Sequence, residues 1–164
     1  MNDRKSTRLK DFDYSSSGVY FITICTNDMK CCLSVVGDGA LDVPQIKLSE
    51  YGRIIENEIL KMNGIYDNLN VDYYVIMPNH VHLLLVVTNA HTKGTSRAPS
   101  PTNSVVARYV STLKRMTNQK CGVDIRQRSY YDHIVRNEED YLYHVQYIEE
   151  NPRKWIIGKD EYYA

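Results

Sequence analysis

The chain has 164 residues, with 20 Lys and Arg balanced by 20 Asp and Glu, and 43% of its residues are hydrophobic. A chain of this length fits one domain, residues 1–164, that can bury a core without disulfides or a structural metal. No apolar run is long enough to span a membrane, and the polar residues after Met1 are unlike a secretion signal. We therefore expect no membrane partner, and the balanced charge by itself indicates no class of partner.

The cysteines do not form a recognisable framework. They are Cys25, Cys31, Cys32 and Cys121. None has CxxC spacing, and the neighbouring pair suits neither a common zinc site nor an ordinary disulfide. Reduced thiols in a cytoplasmic protein are the favoured interpretation.

The apolar patterns, taken in chain order, predict an α+β protein. Segments rich in β-branched, aromatic or continuous apolar residues predict strands at 18–26, 33–36, 70–77, 80–87 and 129–135. Apolar residues spaced by three and four predict one helix from Ser49 to Gly64 and another over about 104–119. The Gly-, Ser-, Thr- and Pro-rich stretch at about 88–103 is expected to be a mobile loop.

The end of the chain carries a third helix. It is expected to begin after Asn137, a good N-cap, and to end at about Asn151, because Pro152 disfavours helical geometry in the residue before it. Its core-facing stripe is predicted to comprise Tyr141, Leu142, Val145 and Ile148.

Without the short strand at 33–36, the order is β-α-β-β-α-β followed by a helix. This order predicts a ferredoxin-like split β-α-β sandwich with a central antiparallel sheet. The strand at 80–87 is apolar on both faces, so both faces must be covered. We expect the first two helices on one face and the third on the other.

Two histidines open the central strand. His80 and His82 are separated by one apolar residue, so their side chains project from one face of the strand and can bind one metal ion. Such a pair in isolation is more often only a polar strand end. His91, His133 and His144 are interpreted as structural or incidental.

A phenol and an amide on the third helix can complete this site. Tyr147 and Asn151 are an i,i+4 pair, so they point into the same space. If that face meets the histidine strand, two imidazoles, an amide oxygen and a phenol surround one metal. Attack by the tyrosine on a phosphodiester, assisted by the ion, would leave a covalent phosphotyrosine.

Basic residues are concentrated in one part of this neutral chain. Between Lys93 and Arg128, Asp124 is the only acidic residue. We predict a phosphate-binding surface, of the kind that nucleic-acid-binding proteins use, formed by Arg97 in the loop and by Arg108 and Arg115 on one face of the second helix. A solvated helix face with a basic loop explains the charge pattern equally well.

At this point the motifs resemble a known family. Residues 77–84, Met-Pro-Asn-His-Val-His-Leu-Leu, resemble the HUH motif of the small single-tyrosine transposases of bacterial insertion sequences. Residues 147–155, Tyr-Ile-Glu-Glu-Asn-Pro-Arg-Lys-Trp, resemble the nucleophile helix of the REP-associated tyrosine transposase branch, where the tyrosine precedes Asn-Pro by four residues. Further similar segments lie at 8–14, 20–26 and 128–138, so the resemblance covers nearly the whole chain.

The resemblance implies a metal-dependent endonuclease and strand transferase that acts on single-stranded DNA, with hairpin ends as the expected partner. Tyr147 would be the nucleophile that forms a 5′-phosphotyrosine, and His80, His82 and Asn151 would bind Mg²⁺ or Mn²⁺. Imidazole ligands suit Mn²⁺ better than Mg²⁺. Some relatives are dimers that exchange the tyrosine helix and others are self-contained, so the resemblance leaves open whether this chain forms a homodimer.

Other functional classes stay open at this stage. The chain could be a domesticated, sequence-specific DNA-hairpin-binding protein without transposition. It could also be a nucleic-acid-binding ferredoxin-like module, although Tyr20 and Phe21 lack the basic-Gly-aromatic pattern of such domains. A metal-dependent hydrolase that uses water would form no covalent intermediate.

Overall fold

The computed structural model describes residues 17–88, 104–126 and 128–163. The described strands are β1 (Gly18–Cys25), β2 (Ser34–Asp38), β3 (Pro44–Leu48), β4 (Leu69–Ile76), β5 (His80–Val87) and β6 (Tyr131–Val135). The helices are α1 (Glu50–Met62), α2 (Val105–Cys121) and α3 (Glu138–Ile156). Nearly all of the predicted mobile loop, the segment at 8–14 and Arg97 lie outside the described residues.

Four strands form the central sheet in the order β4-β5-β1-β6, and each pair of neighbouring strands is antiparallel. Numbered by their place in the β-α-β-β-α-β unit, the strands lie in the order 2-3-1-4, which is that of the split β-α-β sandwich. The predicted fold class is therefore confirmed. The strand with the two histidines, β5, lies inside the sheet between β4 and β1, as its apolar sequence indicates.

The two faces of the sheet carry separate cores. Ile22 and Leu83, which are opposite each other in the β1–β5 pair, pack with buried residues of α1 and α2. Their chain neighbours Phe21 and Leu84 point to the other face and pack with Ile148 of α3. Because side chains alternate along a strand, β5 is covered on both faces. The predicted placement of the helices is confirmed.

The beginnings of the helices are set by local hydrogen bonds. The side chains of Ser49, Ser104 and Asn137 accept backbone N–H bonds from Gly52, Ala107 and Asp140. Gly52 has a further role, since a Cβ at this position would lie 2.1 Å from the Leu33 carbonyl oxygen. Only glycine lets α1 begin this close to the segment before β2.

Three features of the fold differ from the sequence prediction. The strand β3, which pairs with β2 in a separate hairpin, was not predicted. The helix α3 does not end at Asn151 but continues through Pro152 to Ile156. Leu142, assigned to the core stripe, is 56% exposed, while His144 is buried.

Packing explains the longer helix. Trp155 packs on the core of the α3 face, and the Ile157 N–H donates to the Arg153 carbonyl at 3.2 Å, so the last turn is held despite the missing N–H of Pro152. In the parts of the chain that are described, every helix is too short or too polar to cross a membrane.

Candidate active site

The strand β5 presents both histidines to α3. His80 and His82 are fully buried, and their ring centroids are 4.5 Å apart. The His82 ring stacks on Phe21, which belongs to the core on the α3 face, at 5.0 Å between centroids. Both imidazoles therefore lie on the face that the strand periodicity predicts.

The helix α3 adds the phenol and the amide. Asn151 Oδ1 lies 3.2 Å from His80 Nε2, and the Tyr147 ring centroid lies 5.3 Å from that of His82. Both groups come from one helix face because they are separated by four residues. The structure thus brings His80, His82, Tyr147 and Asn151 together.

The hydrogen bonds of His80 determine where its proton lies. Asn79 Nδ2 donates to the Tyr162 carbonyl at 2.7 Å, so Asn79 Oδ1 is the atom that faces His80 Nδ1 at 2.8 Å. A carbonyl oxygen only accepts, so Nδ1 carries the proton and Nε2 presents a lone pair. Burial lowers the pKa of His80 to about 4, against a smaller opposing effect of Asn151, so the ring is neutral at neutral pH.

This protonation state is that of a metal ligand. The His80 Nε2 lone pair faces the oxygen of Asn151 at 3.2 Å, and since both atoms only accept, they make no hydrogen bond with each other. His82 Nδ1 contacts Thr23 Oγ1 at 2.8 Å, while its buried Nε2 has no partner in the described part of the chain. Burial, then the charges of His80 and His144, lower the pKa of His82. The residues fit a divalent ion.

The phenol of Tyr147 is protonated in this environment. Burial, then the negative charges of Glu161 and Asp160, raise its pKa, and a hydrogen bond with Asn151 opposes them. Lys154 Nζ lies 4.8 Å from the centre of the Tyr147 ring. Sequence reasoning missed this lysine, although its position two turns after Tyr147 could have indicated it.

A cleft of about 450 Å³ opens beside the phenol. Tyr147 and His82 line it, together with a histidine–aspartate cluster that sequence reasoning missed, comprising His133, Asp140 and His144. The C-terminal segment covers the other side of the site, since the Tyr162 ring centroid is 4.5 Å from that of His80.

The predicted DNA-binding arginines are not brought to this site. Arg108 and Arg115 are exposed on α2, which packs on the face of the sheet opposite α3. Arg97 is outside the described residues. Their contact with DNA stays a prediction. A DNA molecule that contacts both these arginines and Tyr147 would have to reach both sides of the sheet.

No family model matches the chain. An uncharacterized protein of Haemophilus influenzae is 31% identical over 172 residues, which cover 94% of this chain and 91% of that protein. A REP-associated tyrosine transposase of Escherichia coli is 28% identical over 89 residues, which cover 52% of this chain and 47% of that protein.

A solved structure extends the comparison to the fold. The structure of a REP-associated tyrosine transposase bound to a REP hairpin matches with a TM-score of 0.59 and 19% sequence identity, over 90% of this chain and 74% of that one. The resemblance found in the motifs is therefore confirmed. The chain belongs to one family with the Haemophilus influenzae protein, and in sequence and fold it resembles the REP-associated tyrosine transposases.

Proposed function

We propose that the protein is a transposase, a metal-dependent single-stranded DNA endonuclease and strand transferase that uses Tyr147 as its nucleophile. One observation carries the proposal: a single helix holds Tyr147 beside His82 and Asn151 beside His80, and Tyr147 and His82 line one cleft. The names of two similar proteins, a tyrosine transposase and one bound to a REP hairpin, support DNA hairpin ends as the partner.

The proposed chemistry uses the groups present, and the side of the break that the tyrosine keeps is the one that the resemblance to single-tyrosine transposases implies. The Tyr147 oxygen attacks the phosphorus of a phosphodiester and loses its proton to solvent. The new bond joins the tyrosine to the 5′ side of the break, while the P–O3′ bond breaks and the 3′ oxygen takes up a proton. Attack by another 3′ hydroxyl on the phosphotyrosine reverses these steps and rejoins DNA without an energy source.

The residues around the phenol have separate tasks. His80, His82 and Asn151 would hold Mg²⁺ or Mn²⁺, and a bound divalent ion supplies polarisation of a phosphoryl oxygen and neutralises developing charge. Lys154 Nζ packs against the Tyr147 ring in a cation–π contact that helps to hold the ring in place. The Thr23 hydroxyl holds the ring orientation of His82.

The test compares Tyr147→Phe with Tyr141→Phe on labelled single-stranded hairpins with Mn²⁺. Tyr147→Phe should abolish denaturation-resistant protein–DNA adducts and lower cleavage by several orders of magnitude, because no oxygen is left to form the ester. Tyr141→Phe should stay active, since its hydroxyl donates to Asp72 2.9 Å away. Tyr143 lines the cleft and is a poorer control.

Each contrary result has a defined meaning. Adducts that persist in Tyr147→Phe would show that another residue is the nucleophile. Cleavage by the wild-type protein without any adduct would indicate a hydrolase that uses water. Hairpin binding with neither cleavage nor adducts would indicate a domesticated DNA-binding protein.

A further inference from the structure

The strand β6 and the first turns of α3 bring a second group of metal-ligating side chains together. His133 comes from β6, and Asp140 and His144 lie one turn apart on α3. One donor atom from each of the three lies within 4.8 Å of those of the other two. We propose that His133, Asp140 and His144 form a second binding site, distinct from the His80–His82 pair, for a divalent transition-metal ion.

The distances between donor atoms suit a shared ion. His133 Nε2 lies 3.0 Å from Asp140 Oδ2, and His144 Nδ1 lies 3.2 Å from Asp140 Oδ1. Nitrogen and oxygen donors about 2.0–2.2 Å from a common ion are about 3.0–3.5 Å apart. An ion can therefore bind between the three donors once the two stacked rings turn to direct their lone pairs at it.

Neighbouring groups hold the carboxylate in place. The Arg136 N–H donates to Asp140 Oδ2 at 3.0 Å, and Asn137 Oδ1 accepts the Asp140 N–H at 2.8 Å. The two imidazoles are stacked with their centroids 4.7 Å apart. The contacts to Asp140 fix the direction of its carboxylate before the ion binds, as outer contacts of metal ligands do.

Binding requires a lone pair on each imidazole. His144 Nδ1 also lies 2.8 Å from the Asp140 carbonyl oxygen, which only accepts, so in the ion-free protein this nitrogen carries a proton. An ion bound at Nδ1 displaces that proton to solvent, whereas a ring turned about χ2 offers Nε2 instead. Two imidazoles and one carboxylate favour Mn²⁺, Fe²⁺, Co²⁺ or Zn²⁺ over Mg²⁺.

The place of the cluster indicates what the ion would contact. The three residues line the same cleft as Tyr147 and His82, and three protein ligands leave coordination positions open. If the proposed function holds, a phosphate oxygen of the DNA strand next to the scissile phosphate is the ligand of suitable charge. This assignment to DNA rests on the proposed function, whereas metal binding itself does not.

The test is the number of Mn²⁺ ions bound per chain, measured by equilibrium dialysis without DNA and by electron paramagnetic resonance. Wild-type protein should bind two ions, the double variant His80→Ala/His82→Ala one, and Asp140→Asn one. His133→Ala should also bind one ion, and it removes a partly exposed side chain from an edge strand, so folding should be retained. Glu139→Gln, which removes an exposed acid next to the cluster, should still bind two.

The outcomes separate this inference from the proposed function. One ion per wild-type chain, with unchanged binding in Asp140→Asn and His133→Ala, overturns the second site and leaves the role of Tyr147 standing. If Glu139→Gln also loses the second ion, the ion is attracted by the general negative charge of this surface and not bound by the three side chains, which also overturns the second site. Two ions without DNA cleavage would overturn the proposed function alone.

Discussion

Two buried side chains, one beside His80 in the chain and one on β1, orient the two histidines of the candidate site. Thr23 of β1 holds Nδ1 of His82 at 2.8 Å, and Asn79 holds Nδ1 of His80 at the same distance. Both partners are buried, so neither hydrogen bond is exchanged for water. Each imidazole keeps its Nε2 free for a ligand, which is the usual arrangement of metal-binding histidines.

The first prediction concerns Thr23→Val. The change keeps the shape of the side chain and removes the hydroxyl, so nothing is left to orient the His82 ring through Nδ1. We expect Mn²⁺ binding at the His80–His82 site to weaken about 10- to 100-fold, measured by calorimetry in the His133→Ala background. The matched control is Thr117→Val, which removes a buried hydroxyl from α2 on the other face of the sheet. Equal affinity in Thr23→Val and its parent would contradict the assigned role.

At the scale of secondary structure, the helix α3 continues through a proline. Pro152 lacks the N–H that would bond to the carbonyl of Ile148, and its ring crowds that carbonyl. The helix continues because Trp155 packs on the core beyond the proline. Tertiary contacts therefore outweigh a local preference that would otherwise end the helix at Asn151.

The second prediction follows from this conflict. Pro152→Ala supplies the missing N–H, so the free energy of unfolding should rise by about 1–2 kcal/mol, after allowing for the greater entropy of the unfolded chain. Urea unfolding measures the change. Arg153→Ala, at an exposed neighbouring position, should change stability by less than about 0.5 kcal/mol. A loss of stability in Pro152→Ala would show that the proline ring is needed for packing.

A buried acid links the helices α1 and α2. Glu58 is 1% exposed and forms ion pairs with Lys120 of α2 and with Lys61. Burial acts to raise the pKa of Glu58, but the hydrogen bond and charge of Lys120 and the charge of Lys61 outweigh it and hold the pKa below its usual value. The carboxylate form thus stabilises the packing of the two helices.

The third prediction is the pH dependence of this contribution. Because the folded-state pKa is lowered, the stabilisation is present above the unfolded pKa of about 4.3 and is lost as the pH falls through the folded pKa. Glu58→Gln should lower the free energy of unfolding by about 1–3 kcal/mol at pH 7, and the difference from wild type should shrink below about pH 4. Urea unfolding across this range measures it, with the exposed Glu149→Gln as control. A difference independent of pH would exclude a contribution from the charge.

At the scale of the whole molecule, the exposed arginines of α2 and the candidate nucleophile lie on opposite sides of the sheet. Arg108 and Arg115 are two turns apart on the outer surface of α2, while Tyr147 is part of α3, which packs on the other face of the sheet. If the proposed function holds, binding of a DNA hairpin at one surface and cleavage of a single strand at the other can therefore be changed separately.

The fourth prediction uses this separation. Arg108→Glu and Arg115→Glu should each weaken hairpin binding broadly across sequences, and the salt slope should fall by about one for each phosphate that is no longer neutralised. Cleavage of a short single strand should be unaffected. Arg53→Glu, an equal charge change on the exposed surface of α1, is the control. If affinity and salt slope match those of Arg53→Glu, the α2 arginines are only solvated.

Sequence alone determined those features whose causes are local. The caps Ser49 and Asn137 act within one turn of the chain, and strand alternation places His80 and His82 on one face whatever surrounds them. Helical spacing likewise pairs Tyr147 with Asn151. The element order was enough to predict the sheet, because short connections leave few topologies open.

Tertiary structure decided the features that depend on distant partners. The short strand β3 exists because it pairs with β2, and α3 passes Pro152 because Trp155 reaches a core made by other elements. The register of β6 against β1 placed His133 opposite Phe21 and so brought it to Asp140 and His144. The spacing of these residues in the sequence does not predict the contact of His133 with the other two, because a side chain's surroundings depend on which strands pair and which face each helix covers.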